Sequence, residues 1–555
     1  MRDLLALPIS SLILAACAWA QPQGHSFEMR ASNGLPGDEF GKAVALDGSS
    51  ILVGTWQSDT HGTSSGTAYI FDAQTGEQLA QLAPSNPAAF DAFGAAVDIQ
   101  GDRLVVGSPL SLYGSADVFV RSGDAWVQEA RFAAFDGAPF DNFGYSVAID
   151  GDTAAIGSFR DDDNGNSSGS VYVYRRTASS WTLEAKLISS DGQEQDWFGT
   201  SLALVGNTLL IGAPSVDTSV ANRSGAVYVF VRSGTLWTEA SKLVPAAASP
   251  LDYIGYSVDL AGSLAVLGAP TTDFAGADSG ASYVFARTSS GWVEQARLLP
   301  SDGAGEDMFG LSVATDGARV LIGANGHNAQ GNNSGATYEF VNTGTQWVES
   351  RKLLAGDGVA GDNFGVSVAI HGDAAVIGAS WTDDQGAQSG SAYAFDLSTP
   401  GSAFCFGAGL GTTCPCAAGG AHDSGCANAS NAGGARLSAA GQASMALDDF
   451  RLHVSGLPSA APALVLQGSR QVAGGLGLPA GNGLLCTTGQ VMRSQVQASP
   501  SGTLTFEHVH GAPFGQVSYG HGARANYQVM YRDVSNPCSA QQINFSNGWT
   551  VNWTL

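Results

Sequence analysis

Basic residues are scarce in this chain: 24 Lys and Arg stand against 49 Asp and Glu, a formal net charge of -25. A surface so acidic repels phosphate backbones, so nucleic acid is excluded as an expected partner. Cysteine is absent between Cys17 and Cys405, which confines any disulfide framework to the last third of the sequence. Beyond the N-terminus no stretch is long and apolar enough to cross a membrane. The sequence also lacks a G-x-S-x-G elbow, an H-E-x-x-H helix and a phosphate loop. Serine, histidine and aspartate occur, but no local arrangement marks a nucleophile. These absences weigh against an enzyme without excluding one, because active sites can be assembled from distant loops.

Glycine, by contrast, is abundant. The chain holds 73 glycines and is 44% hydrophobic, a combination suited to short strands joined by tight turns. Its length allows two or three domains. Residues 1–20 read as an export signal: Arg2, an apolar stretch from Leu4 to Ala18, then Ala18-Trp19-Ala20 with cleavage before Gln21. A competing reading takes Leu14-Ala15-Ala16-Cys17 as a lipobox, with Cys17 as a lipid-anchored N-terminus. Either way the expected location is secreted or at the cell surface.

A Phe-Gly pair or close variant recurs seven times, with its glycine at Gly41, Gly94, Gly144, Gly199, Gly255, Gly310 and Gly365, at intervals of 53, 50, 55, 56, 55 and 55 residues. The third unit shows the internal order. Gly144 to Ile149 alternates like a strand and Asp150-Gly151-Asp152 turns. Thr153 to Gly157 is an apolar strand, a polar loop ends at Ser168-Gly169, and Val171 to Tyr174 and Trp181 to Leu187 follow as two more strands. Four strands per unit, seven times over, predict an all-β, seven-bladed β-propeller over residues 25–397. The seventh unit stops after Tyr393-Ala394-Phe395 without a fourth strand, while Phe27-Glu28-Met29-Arg30 precedes the first unit and matches Glu184-Ala185-Lys186-Leu187. The N-terminal segment is therefore expected to supply the outer strand of the last blade, closing the ring and removing exposed edges.

The seven Phe-Gly landmarks, with Gly212-Ala213-Pro214 and Gly268-Ala269-Pro270 complete and Gly107-Ser108-Pro109, Gly157-Ser158, Gly323-Ala324 and Gly378-Ala379 partial, resemble the FG-GAP repeats that also build the integrin α-subunit propeller. That resemblance implies calcium loops of the form D-x-D-x-D-G before the apolar strand. The corresponding turns here, Asp150-Gly151-Asp152 and Val205-Gly206-Asn207, are too short to wrap a cation. A different loop, with Asp162, Asn164 and Asn166 at alternate positions, is the calcium candidate. Ser167 replaces the expected glycine there, and a solvated turn is the preferred reading. No other cofactor is expected.

An aspartate stands two residues before every landmark: Asp38, Asp91, Asp141, Asp196, Asp252, Asp307 and Asp362. Four blades extend this to D-G-x-x-x-D through Asp136, Asp191, Asp302 and Asp357. Occurrence in all seven blades favours a backbone cap over a ring of ligand-binding carboxylates. Trp126, Trp181, Trp237, Trp292 and Trp347 open the fourth strand of five blades and are expected to fill the gaps between sheets rather than bind sugars. Specific contacts are assigned to the variable loops 56–65, 159–168, 215–224, 271–279, 325–334 and 380–389.

After a linker at 398–403 the texture changes. Residues 404–555 are expected to form a compact β-sandwich, with strands at 449–454, 463–467, 502–506 and 527–531. Cys405, Cys414, Cys416, Cys426, Cys486 and Cys538 are read as disulfide partners, with fifteen pairings open. Cys414-Pro415-Cys416 lacks the usual zinc spacing. The cysteine pattern, with Tyr531-Arg532-Asp533 and Asn544-Phe545-Ser546-Asn547, resembles a C-terminal module of exported proteins of planctomycete-like bacteria. His508, His510 and His521 are a weaker metal candidate, with no general base beside them. The whole reads as a non-enzymatic, monomeric binding or adhesion protein whose propeller loops engage an extracellular protein or glycan. A structural envelope component and a polysaccharide hydrolase or lyase are the alternatives.

Overall fold

The computed structural model describes residues 27–397 apart from 179, 220 and 345, and beyond them the strand segments named below together with Leu457 and Thr503. The chain divides into two compact units, with the boundary between Ser402 and Ala403. The described residues form strands and turns and no helix.

The first unit is a ring of seven four-stranded antiparallel sheets. In the third blade the strands are Ser146–Asp150, Thr153–Ser158, Ser170–Thr177 and Ser180–Leu187, paired in that order. The second strand, which holds Ala154, Ala155 and Ile156, is buried along its length because sheets cover both its faces. The fourth strand is the most exposed of the four, with only its last residue, Leu187, buried. A bulge between Val173 and Tyr174 twists the outer pair. Inner strands neighbour one another in ring order, and the seventh neighbours the first.

Closure happens at the seventh blade, ordered Phe27–Met29, Ser391–Asp396, Ala374–Ala379, Phe364–His371. The expected strand donation is observed, but one residue out of the expected register. Glu28 pairs with Tyr393 as Lys186 pairs with Tyr172, so Glu28 corresponds to Lys186 and Met29 to Leu187. The apolar contact decides this: Met29, not Arg30, enters the core, where it is 1% exposed.

Glycine sets the spacing between blades. Each Phe-Gly glycine has a positive φ, from 86° at Gly255 to 95° at Gly94 and Gly310. Its carbonyl lies against the α-carbon of the preceding blade's second-strand glycine, so that a Cβ on Gly107 would collide with Gly144 O and one on Gly378 with Gly41 O. The phenylalanine before it is buried and its N–H donates to the preceding blade, as in Phe93 N to Ser65 O at 3.0 Å and, across the closure, Phe40 N to Ser389 O at 2.9 Å. The five tryptophans behave as expected: Trp237 packs in a cluster that joins residues of the third and fourth blades, and Trp181 meets Phe132 of the second edge-on.

The second unit contains a six-stranded sheet in which Ser402–Phe404, Ile543–Asn552, Arg524–Arg532, Ala461–Gly468 and Met492–Arg493 follow in order and Gln497–Ser499 also pairs with Ala461–Gly468. A three-stranded sheet joins Arg436–Ala440, Arg451–Ser455 and Leu504–Glu507. Two short pairs, Arg470–Gln471 with Thr487–Thr488 and Leu478–Ala480 with Gly483–Leu485, are the remaining strands among the described residues. Each of the four strands expected here overlaps an observed one. The six cysteines, the three histidines and Cys17 lie outside the described residues.

Candidate functional site on the loop face

Hairpins of two-residue turns close one end of the propeller, as at Asp150 to Thr153. The longer connections, from second to third strand and from one blade to the next, gather at the other end. Both kinds of loop are built from repeated hydrogen bonds.

The seven landmark aspartates are backbone caps. Each accepts, at 2.6–2.9 Å, the N–H of the residue three positions earlier: Leu35, Ala88, Ala138, Gln193, Ser249, Ala304 and Val359 in blade order. All seven are buried. Burial pushes most of their carboxyls up, to about 6 for Asp252 and Asp362. The flanking residues are held at positive φ, for example Gln195 at 68° and Trp197 at 60°. For bulky side chains that is a strained conformation, kept by the cap and by the packed Phe-Gly that follows.

The second-to-third-strand loops carry a second cap. Asp59, Asp162, Asp217, Asp273 and Asp383 accept a backbone N–H further along their own loop through Oδ1, at 2.7–3.0 Å, and Asn328 does the same in the sixth blade. This bears on the calcium candidate. Asp162 Oδ1 is taken by Ser167 N, Asn166 Oδ1 accepts from Gln195 Nε2 at 2.6 Å, and Asn164 turns its amide nitrogen to Ser189 O. Asp162, Asn164 and Asn166 thus each have a separate protein partner.

The first aspartates of D-G-x-x-x-D do something the spacing does not reveal. Asp136, Asp191 and Asp302 each accept a tyrosine hydroxyl from the third strand (Tyr172, Tyr228, Tyr338) and a lysine ammonium from the fourth (Lys186, Lys242, Lys352), at 2.7–3.0 Å. Burial opposes the charge on Lys186, but bonds to Asp136, Asp163, Tyr172 and Asp161 outweigh it and hold its pKa well above the usual lysine range. Lys352 is more deeply buried, and burial lowers its pKa despite Asp302. Its neighbour His327, 2.9 Å away through Nε2, is pushed down to about 4 by burial and by that ammonium. In the seventh blade the lysine is replaced by Glu28. The carboxylates of Glu28, Asp357 and Asp384 then have oxygens within 4.8 Å of one another. Arg30 provides the positive charge: it chelates Glu28 with two bonds of 2.7 Å and lies 3.2 Å from Asp384. The recurrent tyrosine at 172, 228, 283, 338 and 393 was the sequence signal for this arrangement.

On the loop side of the third to fifth blades, aromatic side chains form an arc. Tyr145 and Phe159 of the third blade lie 4.4 Å apart between centroids, Phe159 meets Trp197 edge-on at 6.3 Å, and Trp197 and Tyr253 are parallel within 8° at 6.2 Å. Tyr145 and Tyr256 are open to solvent yet surrounded by protein, which pushes both hydroxyl pKa values up, to about 12 for Tyr145. Arg160 packs over Phe159 at 5.2 Å. Only Phe159 of this arc belongs to a loop singled out in the sequence; Trp197 and Tyr253 stand in the connections between blades. Asp98 and Asp259 replace the alanine found at that inner-strand position in the other five blades. Burial pushes them up to about 7 and about 6, and each binds two backbone N–H groups, one from the following blade.

The family model for the FG-GAP repeat matches seven times, over residues 28–71, 77–123, 126–174, 181–230, 237–285, 292–340 and 347–395. The chain belongs to the FG-GAP repeat family. The FG-GAP frame runs from an outer strand to the third strand of the next blade, so its first match begins in the strand that closes the ring and its last ends in that strand's partner. No curated protein matches the chain. Among solved structures, the FG-GAP propeller is similar to the crystal structure of Chaetomium thermophilum Sqt1 bound to the N-terminus of the ribosomal protein L10. The TM-score is 0.40 and the identity 13%, over 67% of this chain and 100% of that one.

Proposed function

We propose that this FG-GAP propeller is an exported, non-enzymatic binding module that engages an extracellular protein or glycan through its loop face. The carrying observation is the half-buried aromatic arc Tyr145, Phe159, Trp197 and Tyr253, in which Trp197 and Tyr253 are fixed by capped, strained backbone at the end of the propeller where the loops differ between blades. Large rings on rigid backbone lose little entropy on binding. Three carboxylates with raised pKa values support a binding reading over a catalytic one. Asp98 and Asp259 spend their oxygens on backbone amides, and Glu28 is chelated by Arg30.

The test is a screen of the full chain against cell-envelope proteins and a glycan array, repeated with Trp197→Asn/Tyr253→Asn. Asparagine already occupies the equivalent positive-φ place as Asn142 and Asn363, so the fold should be retained. Saturable binding lost in the double variant supports the reading. Binding that survives it, or turnover of a polysaccharide in place of binding, defeats it.

A further inference from the structure

Both ends of the propeller carry ion pairs, the loop end through Lys186, Lys242 and Lys352 with Asp136, Asp191 and Asp302, but the loop end also carries a repeated set of exposed carboxylates outside those pairs. At the hairpin end the pairs are Arg176 with Glu129 at 2.7 Å, Arg232 with Glu184 at 2.5 Å and Arg319 with Asp373 at 2.5 Å. At the loop end the five loop-capping aspartates, Asp59, Asp162, Asp217, Asp273 and Asp383, spend one oxygen on their own backbone and are exposed to solvent. Glu194, Asp278 and Glu306 are exposed in the same tier. Among the described residues the exposed bases of these loops are Arg160 and Arg223, with Lys42 directly after the first Phe-Gly. Arg160 is already stacked on Phe159. The loop face thus sets a half-buried aromatic arc beside five exposed, loop-capping aspartates that, unlike Asp136, Asp163, Asp191 and Asp302, are in none of the ion pairs.

Building on the binding role proposed above, we propose that this face takes a basic, extended protein segment, whose Arg or Lys side chains lie on the rings of Trp197 and Tyr253 while the loop-capping carboxylates hold its remaining charges. Three arguments converge on that occupant. A guanidinium or ammonium is attracted to the face of an indole or phenol ring, most strongly where water is excluded. The loop-capping carboxylates place negative potential beside the arc, which speeds encounter with a cationic partner and opposes an anionic one. The carboxylates recur once per blade in five of the seven blades, so a segment crossing the third to fifth blades meets Asp162, Asp217 and Asp273 in turn.

The experiment uses the full chain and three labelled probes: a twelve-residue peptide of alternating Arg and Ser, its Glu/Ser counterpart, and a neutral oligosaccharide, all read by fluorescence anisotropy. Two double variants separate the contributions. Trp197→Asn/Tyr253→Asn removes the rings. Asp162→Asn/Asp217→Asn removes loop charge but keeps the cap, since Asn328 caps its own loop through the same oxygen at 2.7 Å. The expected result is saturable binding of the basic peptide alone, weakened by salt and reduced about ten-fold or more by the ring variant, as for aromatic anchors in other interfaces. The loop-charge variant should weaken binding and flatten its salt dependence. Equal binding of the basic peptide by wild type and ring variant would reduce the effect to bulk charge attraction and overturn the proposal, as would preference for the Glu/Ser peptide or the oligosaccharide. If the envelope screen finds a partner that depends on Trp197 and Tyr253 while the basic peptide does not bind, the partner class falls and the binding role stands. If no partner depends on those rings, both fall.

Discussion

Glu28 faces Tyr393 across the strand pair that closes the ring, at the place where Lys186 faces Tyr172 in the third blade. One charge is reversed while its surroundings are kept: Asp357 and Asp384 remain beside it, and Arg30 is left to balance three carboxylates. Burial accordingly pushes Glu28 up to about 7 from an ordinary glutamate value near 4.5.

The sign of the resulting pH dependence is fixed. The folded chain holds this proton at pH values where the unfolded chain releases it, so the contribution to stability is present below about pH 4.5 and lost as pH rises through 7. Glu28→Gln should therefore raise the melting temperature at pH 7.5 by a few degrees and change it little at pH 4.5. Calorimetry at the two pH values checks this; an equal effect at both would show that charge is not the cause.

Other buried carboxylates of the propeller act in the same sense. Burial pushes Asp98 to about 7 and Asp117, Asp252, Asp259 and Asp362 to about 6. In Asp136 and Asp191 burial is outweighed by their lysine and tyrosine bonds, which hold them below the usual range. Thermal stability should rise as pH falls from 8 to 5, then drop below about pH 3.5 as the ion-paired carboxylates are protonated. A melting temperature that is highest at pH 8 contradicts the raised values.

Ring closure is tested at Met29. It is buried in the cluster that joins the first blade to the seventh, so Met29→Ala should cost about 2–4 kcal/mol in a denaturant melt. Limited proteolysis should then cut first on either side of the closing strand. A loss under about 0.5 kcal/mol would mean that the strand adds little to the ring.

Two glycines kept for different reasons, Gly378 for close packing and Gly123 for its positive φ, should differ in consequence. A Cβ at Gly378 meets backbone atoms of Gly41, whereas one at Gly123 meets nothing within 4 Å. Gly378→Ala should cost on the order of 3 kcal/mol or prevent folding, and Gly123→Ala, at a φ of 65°, about 1–2 kcal/mol from backbone strain alone. Urea midpoints of the two variants give the comparison.

Local chemistry made the blades readable from the sequence. Alternation over four or five residues, a Gly-containing turn and a recurrent Phe-Gly are short-range features, and seven copies in phase leave one architecture that buries all of them. The landmark aspartates were legible for the same reason, since a carboxylate three residues after a free N–H can reach it without help from the rest of the fold. The closing strand was legible as well, but the expected register was one residue out: it set Arg30 in the place of buried Leu187, and a one-residue slip exchanges the two faces, so burial of Met29 decides the pairing.

What the sequence alone determined, then, is the repeat, the strand order, the caps and the ring. The tertiary structure decided where chemistry converges. Trp197 and Tyr253 are 56 residues apart and stack only because successive blades are rotated about a common axis. The lysine, tyrosine and aspartate of the third, fourth and sixth blades meet because three separate strands and loops end at one corner of the sheet. Such meetings depend on the angle between sheets, which is set by glycine contacts and aromatic packing across the whole ring rather than by any segment of the chain.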